Sequence, residues 1–297
     1  MNEDVFGIPT EEKTTAVRKT RKRTASQIAA DKTRTLYNWM NIFAFLAMIS
    51  INILANALPL GGHTSEEVSD MYPSLFTPSG ITFSIWGIIY TLTGIVFIRQ
   101  LLSGRKEHKR LTDDIGSLFA VSCALNIGWI LCWHFGRITG ATLMIFALLV
   151  DLIFILILVR DDRMMSITFG IYTAWIIIAS VASIFVEAVY LGNNLISAGG
   201  ETLAVFAAVM AGVLLIVISI TGRNWTFAAV GIWAYTGILV KQIKTFNGKY
   251  PVLIGATVIM ITAMVIALSY FIINEVKTDK TSIKGVIAGQ SPEVLPG

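Results

Sequence analysis

The chain has 297 residues, of which 55% are hydrophobic and only 14% charged, with 23 Lys and Arg against 19 Asp and Glu. A water-soluble domain carries roughly a quarter charged residues in mixed sequence, so this chain cannot cover itself in water and is expected to be an all-α polytopic integral membrane protein. Its basic balance does not point to nucleic acid, because the Lys and Arg flank apolar runs and read as topology signals.

Residues 1–36 are polar and basic, with Arg18, Lys19, Arg21, Lys22 and Arg23 close together, and are expected to form a disordered cytoplasmic tail. Apolar runs then reach the ~20 residues needed to cross ~30 Å of hydrocarbon. They fall at about 37–58, 79–101, 114–135, 138–160, 164–188, 202–221, 224–241 and 251–273, which predicts about eight transmembrane helices. They do not alternate apolar with polar, as the strands of a barrel would; Gly212–Ile218 is apolar on every face. Residues 276–297 read as a second cytoplasmic tail.

With the N-terminus in the cytoplasm, every Lys and Arg except Arg137, Lys241, Lys244 and Lys249 lies on the cytoplasmic side. A multi-pass protein of the cell membrane is therefore expected. The three lysines clustered between the seventh and eighth spans are the one local violation of the positive-inside rule. A re-entrant seventh segment would relieve it, but a full span is preferred, because non-spanning backbone at membrane depth needs a protein or water cavity to shelter it.

No constellation of a soluble enzyme is visible. There is no phosphate loop, HExxH or CxxC, and His63, His108 and His134 fall in separate loops or helix ends. Cys123 and Cys132 are nine apart on one predicted helix, on opposite sides of it, so neither a disulfide nor a shared metal is expected. No catalytic residue and no metal are assigned. Asn224-Trp225-Thr226 matches a glycosylation sequon but falls in a short loop placed inside the cell.

What stands out is aromatic and polar residues at helical spacing within apolar spans. Asn126, Trp129 and Trp133 form one stripe on the third span; Trp86 and Tyr90 are one turn apart on the second; Tyr172, Trp175, Ala179 and Ser183 share a face of the fifth. Three helices can thus point rings at one cavity. The competing reading, interfacial belts and helix packing, fits Trp39 and Trp225 near span ends better than Trp86, Trp129 and Trp175. Asp151 is the only acid near the middle of a span, where an ionised carboxylate costs at least a few kcal/mol. It is either a candidate ion or proton site or a hydrogen-bonded tie to Asn126 or Ser122. Asn52 and Asn56, one turn apart on the first span, read as helix-packing contacts.

The string Tyr72-Pro73-Ser74-Leu75-Phe76-Thr77-Pro78 followed by Phe83-Ser84-Ile85-Trp86-Gly87-Ile88-Ile89-Tyr90 resembles the TspO/MBR family of tryptophan-rich sensory proteins. Ala124-Leu125-Asn126-Ile127-Gly128-Trp129 and Gly170-Ile171-Tyr172-Thr173-Ala174-Trp175 are similar to the family's third- and fifth-helix segments, in the right order. The resemblance covers residues 37–190 and implies a five-helix bundle with a cavity beneath the first loop that receives porphyrins and other flat hydrophobic ligands. The matching ligand-binding residues are Trp86, Tyr90, Asn126, Trp129, Tyr172 and Trp175, and the ligand or cofactor implied is a tetrapyrrole. The chain departs from the family where paired prolines before the second-helix Trp are replaced by Ser79-Gly80-Ile81-Thr82, and where the Pro before the fifth-helix Tyr is replaced by Gly170-Ile171. Residues 191–275 are expected to add three transmembrane helices that serve as a supporting wall or dimer surface.

The function expected is a TspO-like membrane sensor or ligand-binding protein, with lipid, a hydrophobic small molecule and a second copy of the chain as partners. The alternative is a secondary transporter of a small molecule or ion coupled through Asp151. An enzyme acting on tetrapyrroles ranks last, because no nucleophile is visible.

Overall fold

A segment inside hydrocarbon has no water to satisfy its backbone N–H and C=O groups, so apolar runs of this length close their hydrogen bonds internally as helices. A computed structural model describes residues 24–58, 60–102 and 115–287, and among them all regular structure is helical. Among the described residues there are eight long helices: α1 (Ala25–Ala57), α3 (Ile85–Leu102), α4 (Leu118–His134), α5 (Ile138–Leu158), α6 (Arg163–Tyr190), α7 (Ala198–Thr221), α8 (Thr226–Lys244) and α9 (Pro251–Ile287). A short α2 (Ser65–Met71) and a 3-10 turn (Gly80–Ser84) lie in the segment joining α1 to α3.

Two boundaries differ from expectation. The tail expected over 1–36 is helical from Ala25; residues 1–23 lie outside the described residues. Thr24 opens α1 with a capping box, its hydroxyl accepting from the Gln27 backbone while the Gln27 side chain accepts from the Thr24 backbone. The Ala, Gln, Lys and Arg that follow are good helix formers whatever their polarity. At the other end α9 runs on to Ile287, through the start of the tail expected from 276, because propagating an existing helix costs far less than starting one.

Seven of the long helices are long and apolar enough to cross a membrane, while α4, at 17 residues, is shorter. Contacts at the two ends of the bundle show that the α4 segment reaches both of them. At one end Asn41 of α1 donates to the Gly116 carbonyl just before α4, and Asn224 before α8 donates to the Ser166 carbonyl of α6. At the opposite end Trp133 of α4 donates to the Ser65 carbonyl, Thr139 of α5 to Glu187 of α6, and Lys241 of α8 to Asp70. Helix α8 therefore passes from one end to the other, and the re-entrant reading of the seventh segment does not hold.

Helix α6 is the most buried span and packs against α3, α5, α7 and α8. Helix α4 lies between α1 and α5, and α9 packs on α7 and α8. Small residues permit the close approaches: Met264 of α9 lies over Gly231 of α8, and Met260 over Gly212 of α7. The spans with the highest hydropathy, α5, α7 and α9, leave most of their surface outward, as lipid-facing helices should. Helix α8 has the lowest mean hydropathy, 1.2, and is mostly enclosed.

Candidate functional site: a roofed aromatic cavity

The site is built where α3, α4 and α6 meet beneath the α1–α3 segment. Trp86 of α3 is its hub. It stacks on Tyr90 one turn along, with ring centroids 5.5 Å apart, and on Trp129 of α4 at 5.2 Å; it meets Tyr172 and Trp175 of α6 edge-on at 5.8 and 6.4 Å. Trp129 in turn stacks on Trp133, and Phe83 meets Trp175 edge-on. Offset and edge-on pairs of this kind contribute ~1 kcal/mol each beyond burial.

Below the rings runs a chain of side-chain hydrogen bonds through four helices. Tyr90 donates to the Asn52 amide oxygen at 2.8 Å, Asn52 donates to the Asn126 oxygen at 2.8 Å, and Asn126 donates to the Tyr172 hydroxyl at 3.0 Å. Asn52 also donates to the Met48 carbonyl at 2.9 Å. This residue is the centre of the network, tying α1 to α3 and α4 in the helix-packing role read for it. The side chain of Asn56 lies outside the described residues.

Above Trp129 and Trp175 lies a cavity of about 30 Å³. Its roof comes from the α1–α3 segment through Ser69, Thr77, Pro78 and Phe83, and its walls from Trp129 and Trp133 of α4, Ile145 of α5 and one face of α6 from Trp175 to Val186. The roof is well anchored: Leu75 and Phe76 are fully buried, Phe76 stacks on Phe185 at 5.4 Å, and Tyr72 meets Tyr190 edge-on. Thr64 starts α2 with a capping box, and the Glu67 carboxyl is held below its ordinary value of 4.5, first by the Thr64 backbone N–H and then by its hydroxyl.

Of the six residues expected to bind ligand, Trp129 and Trp175 line this cavity. Trp86 and Tyr172 form the layer of rings against them, while Tyr90 and Asn126 belong to the polar network. The stripes place Trp133, Ala179 and Ser183 on the wall as well. Ser69 was not singled out in the sequence, since a serine in a polar loop carries no periodic signal. The Nε1 atoms of both Trp129 and Trp175 and the hydroxyl of Ser69 are buried without a hydrogen-bond partner.

Asp151 is only 7% exposed on α5, and one of its carboxylate oxygens has no partner. The expected ties to Asn126 and Ser122 are not made: Asn126 bonds Asn52 and Tyr172, and Ser122 donates back to the Phe119 carbonyl. Asn224 is not an accessible glycan acceptor. It is 7% exposed, donating to Ser166 while its oxygen accepts from the Thr226 backbone and hydroxyl. Among the described residues no cluster of three or more His, Cys, Asp or Glu could hold a metal.

Fold and site together define a polytopic α-helical membrane protein with a tryptophan-walled cavity under its first loop. The family described as TSPO-like protein matches the chain over residues 38–273, and the chain belongs to that family. The match continues past residue 190 to take in α7, α8 and the membrane part of α9. Neither the curated proteins nor the solved structures contain a match.

Proposed function

We propose that this protein binds a porphyrin-like or other flat hydrophobic molecule beneath its first loop, as a sensor or ligand-binding protein of the cell membrane with its N-terminus in the cytoplasm. The observation that carries the reading is the pair of indole N–H groups of Trp129 and Trp175, both buried and unpartnered at a cavity whose other walls are mostly apolar. A buried donor without a partner costs ~1–3 kcal/mol, and a ligand that brings a carbonyl or carboxylate beside an apolar body recovers that cost. The ring walls suit a flat body. Because the cavity holds only about 30 Å³, binding requires the roof and the Trp86 layer to move apart. Asn126 is held by Asn52 and Tyr172 and keeps a second amide N–H with which it could fix the orientation of a ligand once the rings part.

Titration with protoporphyrin IX is expected to quench tryptophan fluorescence saturably. Trp175→Phe keeps an aromatic wall but removes one donor, so it should weaken protoporphyrin IX about tenfold while changing little for an alkyl-only porphyrin that has no acceptor groups. Quenching that does not saturate, or that ignores Trp129 and Trp175 substitutions, overturns the reading.

A second reading, a secondary transporter coupled through Asp151, is supported by that residue's burial and unpartnered oxygen, since an intramembrane acid is costly to keep. In proteoliposomes, uptake driven by a proton gradient and lost in Asp151→Asn would favour transport. Gradient-independent ligand retention, unchanged in that variant, would reject it.

A further inference from the structure

The roof of the cavity is held from outside by a helix that does not touch the cavity. Helix α8 makes four polar contacts with the α1–α3 segment. The Lys241 ammonium donates to the Asp70 carboxylate at 2.9 Å, the Gln242 amide to the Leu75 carbonyl at 2.8 Å, and the Trp233 indole to the Thr82 carbonyl at 3.0 Å. The Ser79 backbone N–H donates to the Gly237 carbonyl at 3.1 Å. These contacts bracket the roof in sequence: Asp70 follows Ser69 directly, Leu75 precedes Thr77 and Pro78, and Thr82 precedes Phe83. The approach at Gly237 is close enough that a Cβ there would lie 2.0 Å from the Thr82 hydroxyl oxygen.

Lys241 has almost no exposed side-chain surface (6%), whereas Asp70 is 59% exposed. A lysine this enclosed is held by its counter-ion, and Asp70 keeps enough contact with solvent to let go. Gln242 is fully buried, one end bonded to the Leu75 carbonyl and the other without a partner. The pull on the roof is therefore polar and directional, made of groups that can exchange partners.

We propose that α8 is the latch of the cavity: Lys241 and Gln242 are positioning residues that act through Asp70 and Leu75 to keep the roof closed, and they set how fast ligand enters and leaves. The inference rests on the cavity being the ligand site only for its ligand readout. The closure itself is read without any ligand. It also accounts for one of the three lysines that break the positive-inside pattern, because Lys241 lies at the loop end of the bundle to meet Asp70.

The test uses the full chain carrying Cys132→Ser, which removes the half-buried thiol, and Ser69→Cys as reporter; Ser69 is 2% exposed and its hydroxyl breaks no bond on replacement. Lys241→Met or Asp70→Asn is expected to speed alkylation of that reporter thiol about tenfold. The exchanged pair Asp70→Lys with Lys241→Asp is expected to restore the slow rate. In stopped-flow quenching by protoporphyrin IX, association and dissociation should both accelerate in the single variants while Kd changes much less, a split that a general loss of structure does not produce. Should Lys241→Met fail to fold, Asp70→Asn at its half-exposed position still decides the matter. Alkylation and exchange rates that stay at the parent value in a folded variant overturn the latch, and saturable binding in the same samples would leave the ligand reading standing. Faster alkylation without saturable binding in any sample supports the latch and removes the ligand reading.

Discussion

Asn126 accepts from Asn52 at its amide oxygen and donates an N–H to Tyr172, and so joins α1, α4 and α6 at a fully buried position. Interhelical hydrogen bonds in membranes contribute ~0.6–2 kcal/mol each, so Asn126→Ala is expected to lower unfolding free energy by ~1–3 kcal/mol, read as a fall in the thermal midpoint in detergent. Trp175→Phe loses buried ring volume but also an unpartnered donor, so it should lower that midpoint less than Asn126→Ala does and act mainly on ligand affinity. At the solvent edge, Glu67 titrates below 4.5 because Thr64 donates to its charged form. A depressed carboxyl contributes stability that is complete above its unfolded value and lost as pH falls through the lower folded value. The carboxyl 13C shift of Glu67 should accordingly show a midpoint below 4.5, and Thr64→Ala should return it to the ordinary range. The helical period made the faces of Trp129, Trp133, Trp175 and Ser183 legible from the sequence. It could not show that the indoles of Trp129 and Trp175 lack partners while Asn126 has two, because that depends on what the neighbouring helices bring.

The helices themselves were readable because apolar length is a local property, and the errors lie where helices continue into polar sequence, at Ala25 and beyond residue 275. More informative are the places where the chain lacks the prolines of the TspO/MBR pattern. Ser79 uses its backbone N–H to reach the Gly237 carbonyl, a bond proline cannot make. Gly170 faces the turn before α8 so closely that a Cβ would sit 2.4 Å from the Thr226 hydroxyl oxygen and 2.6 Å from the Asn224 amide nitrogen. Both departures are thus contact points with α8 and its turn, which the sequence alone could not pair across the intervening residues. Gly170→Ala is expected to cost ~1–3 kcal/mol through overpacking, and Ser79→Pro ~1 kcal/mol through the lost bond. Thermal unfolding would measure each. A Gly170→Ala protein as stable as the parent would show that the turn can shift without penalty.

Across the whole molecule the contacts sort into two ends. The α1–α3 segment, the ends of α4, α6 and α8 and the start of α5 share one, while Gly116, Ser166 and Asn224 lie at the other. With the N-terminus inside, a membrane-impermeant thiol reagent applied to intact cells should label His63→Cys and Lys249→Cys but spare Asp161→Cys; all three positions are exposed. The opposite pattern would invert the orientation without altering the fold. The residues that α8 satisfies have a further bearing on what can be removed from the protein. A chain stopped after Tyr190 would retain every ring of the cavity, yet leave the Asp70 carboxylate, the Leu75 and Thr82 carbonyls and the Ser79 N–H without the partners that α8 supplies. The Leu75 and Thr82 carbonyls and the Ser79 N–H cost ~1–3 kcal/mol each when buried without a partner, so the first five helices cut out alone are expected to be less stable than in the full chain.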